Sequence, residues 1–193
     1  MISVNLSPFD SPMRSAERLT MRQSFVVALV TVLSAASLVI GSGQEPRPIR
    51  DFLKLNNDFC TGAQPRLEHL ETLKSQGVKS ILNLRVPSEH RAAEEEARAK
   101  GLGLRYFNIP VAFGEPKDEQ VKAFLKITDD PQNRPVFVHC AAGIRVGAFW
   151  MIRRVIRDGW SIEKAQKEAE RIGLKESPHL IEFVWSYLER HQQ

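Results

Sequence analysis

Several function classes are excluded by what this chain lacks. No block of Lys and Arg is interleaved with aromatics, and the net charge of +4 over 193 residues is that of an ordinary solvated surface. A nucleic-acid partner is therefore not expected. His69, His90, His179 and His191 are scattered over helical segments and the tail without ligand spacing, so no metal site is expected. There are two cysteines, Cys60 and Cys140, hence at most one internal disulfide. In an oxidising compartment that pair would protect or switch off whichever thiol is reactive. No internal repeat or low-complexity tract is present. No apolar run reaches the ~20 residues that span a bilayer.

The longest apolar run, residues 25–40, follows Arg14, Arg18 and Arg22 and is succeeded by Gly41, Ser42 and Gly43. This pattern reads residues 1–43 as an export signal or, if uncleaved, a membrane anchor, giving an exported, periplasmic or extracytoplasmic protein. Met13 and Met21 are alternative starts. A Pro-rich linker at 44–50 leads to a folded domain at 51–193, long enough for one core. Within it, Leu67, Leu70 and Leu73 mark one face of a helix that Pro65 starts and Gly77 ends. Residues 78–84 form a buried strand, and a polar helix from Pro87 to Gly101 carries the run Glu94, Glu95 and Glu96 as a solvated face. A strand at 104–109 and a loop at 111–117 follow. Val121, Phe124, Leu125 and Ile127 then mark a helix, and 135–139 a strand. Ala148, Met151, Ile152 and Val155 lie on the core face of the next helix, and two more helices follow Ser161 and Ser177. Trp150, Trp160 and Trp185 are expected in the core or lining a groove. Strands alternating with helices give an α/β fold, a mostly parallel sheet flanked by helices on both faces.

The chemistry concentrates at His139-Cys140-Ala141-Ala142-Gly143-Ile144-Arg145-Val146-Gly147, between the apolar strand Val136, Phe137, Val138 and the helix at 148–157. A strand, a small-residue loop and a helix put Cys140 at a helix N-terminus, beyond the C-terminal end of a strand where such sheets bind ligands. Unpaired amides and the positive end of the helix dipole there favour an anion or a thiolate. Gly143 lets the backbone curl into a nest, Arg145 offers a planar fork to two oxygens, and Cys140 supplies a nucleophile.

These residues resemble the motif of the cysteine-dependent tyrosine and dual-specificity phosphatases, in which His-Cys is followed by glycine and then arginine. The resemblance implies a phosphatase-like three-layer architecture and hydrolysis of phosphate monoesters through a cysteinyl phosphate, without cofactor or metal. By position, Cys140 is the nucleophile and residues Ala141, Ala142, Gly143, Ile144, Arg145 and Val146 bind phosphate, with His139 supporting the loop. Two departures stand out. Four residues separate Cys140 from Arg145 where the family has five, and Val146 occupies a position usually Ser or Thr. The four-residue spacing, together with the stretch Asn57-Asp58-Phe59 through Gly62-Ala63-Gln64-Pro65, is similar to the phosphatase-like domain of beta-lactamase-hydrolase-like proteins. The short loop also resembles that of rhodanese-type sulfurtransferases, which implies a Cys140 persulfide as the alternative chemistry. Both of these relatives usually have arginine after the cysteine, where Ala141 stands.

In the phosphatases the leaving oxygen is protonated by an aspartate on the loop after the preceding strand. No aspartate stands first in line on loop 110–118. Glu115 is the leading stand-in and Asp118 the second, with an alternative role as helix cap. The expected partner is a phosphorylated protein or a small phosphate ester, met by a monomer with a shallow pocket. A third reading, a phosphate-binding module with little turnover, follows from Val146 and the absent aspartate.

Overall fold

The computed structural model describes residues 48–191 apart from His90 and Glu176. Among these residues five strands form one sheet: β1 (Leu53–Lys54), β2 (Phe59–Gly62), β3 (Ser80–Asn83), β4 (Arg105–Asn108) and β5 (Val136–His139). Their order across the sheet is β1-β2-β5-β3-β4. All neighbours are parallel except β1, which pairs antiparallel with β2. The helix-flanked, mostly parallel sheet expected from the alternating pattern is what the chain forms. The short antiparallel edge of β1 and β2 is a feature the hydrophobic pattern did not disclose.

Side chains alternate across each strand, and this builds two cores. Val136 and Val138 of β5, Leu82 of β3 and Phe59 of β2 enter the larger one. Phe137, Ile81 and Cys60, one position along the same strands, enter the smaller. Helices α1 (His69–Ser75) and α2 (Ala92–Gly101) supply Leu70, Leu73 and Ala99 to the smaller core. The other face is covered by α3 (Asp118–Asp129), α4 (Ile144–Ile156), α5 (Ile162–Ile172) and α6 (Pro178–His191). Three layers result, helices above and below one sheet. Because α4 lies between the sheet and α5 and α6, it is buried from Arg145 to Arg154 on every side. Its polar members are paired: Trp150 Nε1 and Arg154 Nε donate to Glu168 at 2.7 and 2.6 Å, and Arg153 Nη1 donates to both oxygens of Asp158.

Some boundaries differ from expectation for local reasons. Helix α1 begins at His69 instead of Pro65, because the preceding residues turn and the Arg66 amide donates to His69 Nδ1 at 3.1 Å. Helix α2 begins at Ala92, after turns in which the Glu89 amide bonds the Val86 carbonyl. Ile49 and Arg50 already touch the domain, Ile49 against the smaller core and the Arg50 carbonyl accepting from the Ala63 amide at 2.9 Å. Of the tryptophans, Trp150 is fully buried and Trp185 is exposed on α6.

The membrane attachment expected through an uncleaved N-terminal segment, and the exported or extracytoplasmic location tied to it, need correction. Among the described residues no helix is long and apolar enough to cross a membrane. The longest, α6, has 14 residues and rises about 21 Å, short of a hydrocarbon core of ~30 Å. The apolar run at 25–40 and the rest of the expected signal lie outside the described residues.

Candidate active site

Strands β2, β5 and β3 end flush, with Gly62, His139 and Asn83 in register. The loops that leave these ends converge on one edge of the sheet, with Cys140 in the middle. Cys140 is fully buried, and the Gly143 amide donates to its sulfur at 3.1 Å. Gly143 has φ of +83°, and a Cβ there would lie 2.3 Å from the Ile172 carbonyl oxygen at the end of α5. Both the turn and the close approach of α5 therefore require glycine. The Gly147 amide bonds the Gly143 carbonyl at 2.8 Å. The amides of Ile144, Arg145 and Val146 thus precede that bond, at the positive end of α4.

Arg145 is 1% exposed and has five N–H donors in fixed directions. Nη1 and Nη2 grip the two oxygens of Glu89 at 2.6 and 2.8 Å, and Nη1 also donates to the Val111 carbonyl at 3.0 Å. The end-on fork expected to meet an oxyanion is turned onto Glu89. What remains is the edge of Nε and the second Nη2 hydrogen, and Nε is a buried donor without a partner. Phe113, although exposed, covers the guanidinium with its ring at 4.5 Å. Burial works against the Arg145 charge, but the Glu89 carboxylate and the nearby Cys140 sulfur raise its proton affinity above the usual arginine value. For Glu89, burial pushes the carboxyl up. The bonds from Arg145 and from the Val86 amide, with the charges of Arg145 and Arg85, outweigh burial and hold it below the usual range.

His139 sits beneath the loop in a second buried cluster. Its Nε2 meets Glu95 Oε1 at 2.6 Å, and Arg85 Nη2 donates to Glu95 Oε2 at 2.7 Å. Arg85 is braced in turn by Asn83, whose side-chain oxygen accepts from the Arg85 amide and Nε at 2.8 and 3.2 Å. Three charged or titratable side chains are thus buried together with bonds that offset their desolvation, pinning β5 to α2 and β3. Glu95 is a correction: the run Glu94, Glu95 and Glu96 is not wholly a solvated face, since Glu95 points inward with Ala99 one turn later.

The remaining candidates are spread out. Glu115 is exposed at the tip of the loop that begins at Val111. Asp118 is the first residue of α3 after the cap Lys117, and Arg190 of α6 holds its carboxylate at 2.8 and 3.1 Å. Ala141 and Ala142 are half-buried at the mouth, with the Ala141 carbonyl accepting from Arg50 Nη2 at 3.2 Å. Val146 is buried in the larger core. The two cysteines are both free. Cys60 pairs in register with Phe137, three residues before Cys140, so the two α-carbons are ~10 Å apart along the strands, beyond disulfide reach. Among the described residues no group of three or more His, Cys, Asp or Glu is placed to hold a metal ion. Sequence reasoning missed Glu89, which lies 56 positions from Arg145 and is brought to it only by the fold.

A helix-flanked sheet that delivers a cysteine, a glycine turn and a buried arginine to one helix start is the cysteine-phosphatase fold of the dual-specificity and tyrosine type. A putative phosphatase (DUF442) from Shewanella putrefaciens shares it, with a TM-score of 0.64 and 24% identity over 74% of this chain and 92% of that one. So does the core catalytic domain of the PP-IP phosphatase SIW14 from S. cerevisiae, with a TM-score of 0.61 and 21% identity over 72% and 85%. Residues 49–179 match the family described as PTP-NADK, DSP-PTPase phosphatase fused to NAD+ kinase, and the chain belongs to that family. A beta-lactamase hydrolase-like protein from Agrobacterium fabrum is 27% identical over 104 residues, 52% of this chain. The match spans 24% of that relative's own length.

Proposed function

We propose that the chain hydrolyses phosphate monoesters with Cys140 as nucleophile. The observation that carries this reading is the unpartnered Nε of Arg145, buried beside the Cys140 sulfur. A buried donor left unmade costs about 1–3 kcal/mol, and a phosphoryl oxygen would satisfy it. Two oxygens of the phosphoryl group bind along the Nε and Nη2 edge, and the amides of Ile144, Arg145 and Val146 receive the charge that builds on the others. The Cys140 thiolate attacks phosphorus in line and the ester P–O bond breaks. The departing oxygen takes a proton from Glu115, whose loop also carries Val111 and Phe113 against Arg145. Water then attacks the cysteinyl phosphate and gives a proton to the Glu115 carboxylate, the P–S bond breaks, the thiolate is regenerated and inorganic phosphate leaves.

Glu89 holds Arg145 in position for this role, and Asp118 serves α3 and Arg190 instead. Val146 offers no hydroxyl to the departing sulfur, so breakdown of the cysteinyl phosphate is the slow step. The test is phosphate release from a small aryl phosphate by the purified chain under reducing conditions, beside Cys140→Ser. Turnover in the first and none in the second is expected. Equal release by both would overturn the reading, as would Cys140-dependent thiocyanate formation from thiosulfate and cyanide without phosphate release.

A further inference from the structure

The same edge of the sheet holds a second feature that the hydrolytic steps do not use. A cavity of about 510 Å³, in the size range of small-molecule sites, opens beside the 140–146 loop. It shares the wall residue Ala141 with that loop, one position from Cys140. Three arginines from three separate segments line it: Arg50 before β1, Arg66 before α1, and Arg91 at the start of α2. His69 lies on the same wall. One carboxylate, Glu95, is also present, but Arg85 and His139 already hold both of its oxygens.

The arginines have carboxylate partners of their own. Arg50 pairs with Asp51 at 3.4 Å, Arg66 with Glu68 at 2.8 Å and Arg91 with Glu94 at 2.7 Å. Every one of these carboxylate pairs is solvent-exposed on both sides, and Arg66 Nη2 also meets His69 Nε2 at 3.3 Å on the cavity wall. Exposed pairs of this kind contribute about 0–1 kcal/mol, so an arginine can exchange its partner for a multiply charged ligand at little cost. The contrast with Arg145 is one of kind: its partner Glu89 is mostly covered, and the pair is built into the loop.

From the shared wall and the three arginines we infer that the cavity is a subsite for a second phosphoryl group, and that the substrate is a small ester carrying at least two phosphates. This rests on the reading of Cys140 and Arg145 as the site of the first phosphate. One phosphoryl group sits against Cys140, and the other is taken by Arg66 and Arg91 with Arg50 at the boundary. Guanidinium forks suit phosphate oxygens and form charge-assisted bonds with them. A substrate with one phosphate would leave the arginines to their surface partners.

The test measures binding by calorimetry to full-length Cys140→Ser at physiological ionic strength, which separates binding from turnover. Fructose 1,6-bisphosphate is expected to bind about tenfold more tightly than fructose 6-phosphate, the effect of one good charge-assisted contact. Adding Arg66→Ala and Arg91→Ala should bring that ratio close to one. Arg157→Ala, an exposed arginine paired with Asp129 elsewhere, should leave it unchanged. Fructose 6-phosphate bound by the double variant with its original affinity shows that the fold and the first phosphate site are intact, so a fallen ratio then reports the subsite alone. Equal affinities for the two sugars would overturn the subsite, as would a ratio that survives the double substitution. A phosphotyrosine peptide bound as tightly as the bisphosphate, and weakened as much by the double substitution, would overturn the small-ester assignment. If the ratio behaves as expected while the unsubstituted chain releases no phosphate, the subsite stands and the hydrolytic reading fails.

Discussion

Cys60 lies within β2 and Cys140 just past the end of the neighbouring parallel strand β5; both are buried, yet their surroundings differ. Cys60 is inside β2, and its thiol donates to the Val136 carbonyl at 3.8 Å. Burial there pushes its thiol up to about 12, with Lys54 pulling only weakly the other way. Cys140 lies one residue past the end of β5, where the chain turns into α4. Its sulfur accepts from the Gly143 amide, and its charge is felt by the Arg145 guanidinium. The same side chain is a packing unit within a strand and faces a helix start just beyond one. The difference comes from the backbone around it, since the Gly143 amide at the helix start donates to the sulfur while those within a strand are used by the ladder.

Gly143→Ala attacks the Cys140 side of this comparison most severely. It imposes a side chain at a φ of +83° and presses it against the Ile172 carbonyl. A loss of about 2 kcal/mol or more is expected in denaturant titration, together with loss of turnover. Glu89→Gln is next. It frees Arg145 from its carboxylate, and kcat/KM should fall about tenfold or more, with a lower melting temperature at neutral pH because the buried guanidinium loses its charged partner. Its pH dependence has a definite sign. A carboxyl held below the usual 4.5 stabilises the fold above that value, and the contribution is lost as pH falls through the lowered one. Acid unfolding should therefore be shallower in Glu89→Gln than in the parent.

Cys60→Ala should have the smallest effect, about 1 kcal/mol from lost packing and no change in turnover. A thiol raised from 9.0 to about 12 stabilises the fold fully below 9.0, and that contribution is lost as pH rises toward 12. Stability in that alkaline range should thus fall less steeply in Cys60→Ala. In the native parent, iodoacetamide at neutral pH should spare Cys60, whose buried thiol stays protonated there.

Much of the frame that creates this contrast was legible in the sequence. The run from Val136 to Val138, the small residues after it and the apolar face at Ala148, Met151 and Ile152 specify a strand, a turn and a helix through local periodicity. Gly143 is informative for the same reason, since a turn into a helix start demands an unusual backbone. The supporting carboxylates were not legible. Glu95 stands among acidic neighbours, and its buried bonds to Arg85 and His139 leave no periodic trace, although Ala99 four residues later marks the same inward face. Glu89 is in a turn after Pro87 and Ser88 and finds Arg145 only once β3 and β5 lie side by side. Strands β1 and β2 were missed because 2 and 4 residues are too short for alternation to show. The orientation of Arg145 was also out of reach, because spacing places an arginine near a cysteine but does not say which edge of its guanidinium stays open.

The most direct test of the account is mass spectrometry of the chain quenched in acid during turnover of a small aryl phosphate. Because Val146 gives the departing sulfur no hydroxyl, the intermediate should accumulate, and the peptide containing Cys140 should gain the mass of one phosphoryl group while the peptide containing Cys60 stays unmodified. An unmodified Cys140 peptide during active turnover, or a phosphoryl group on any other residue, would contradict the account.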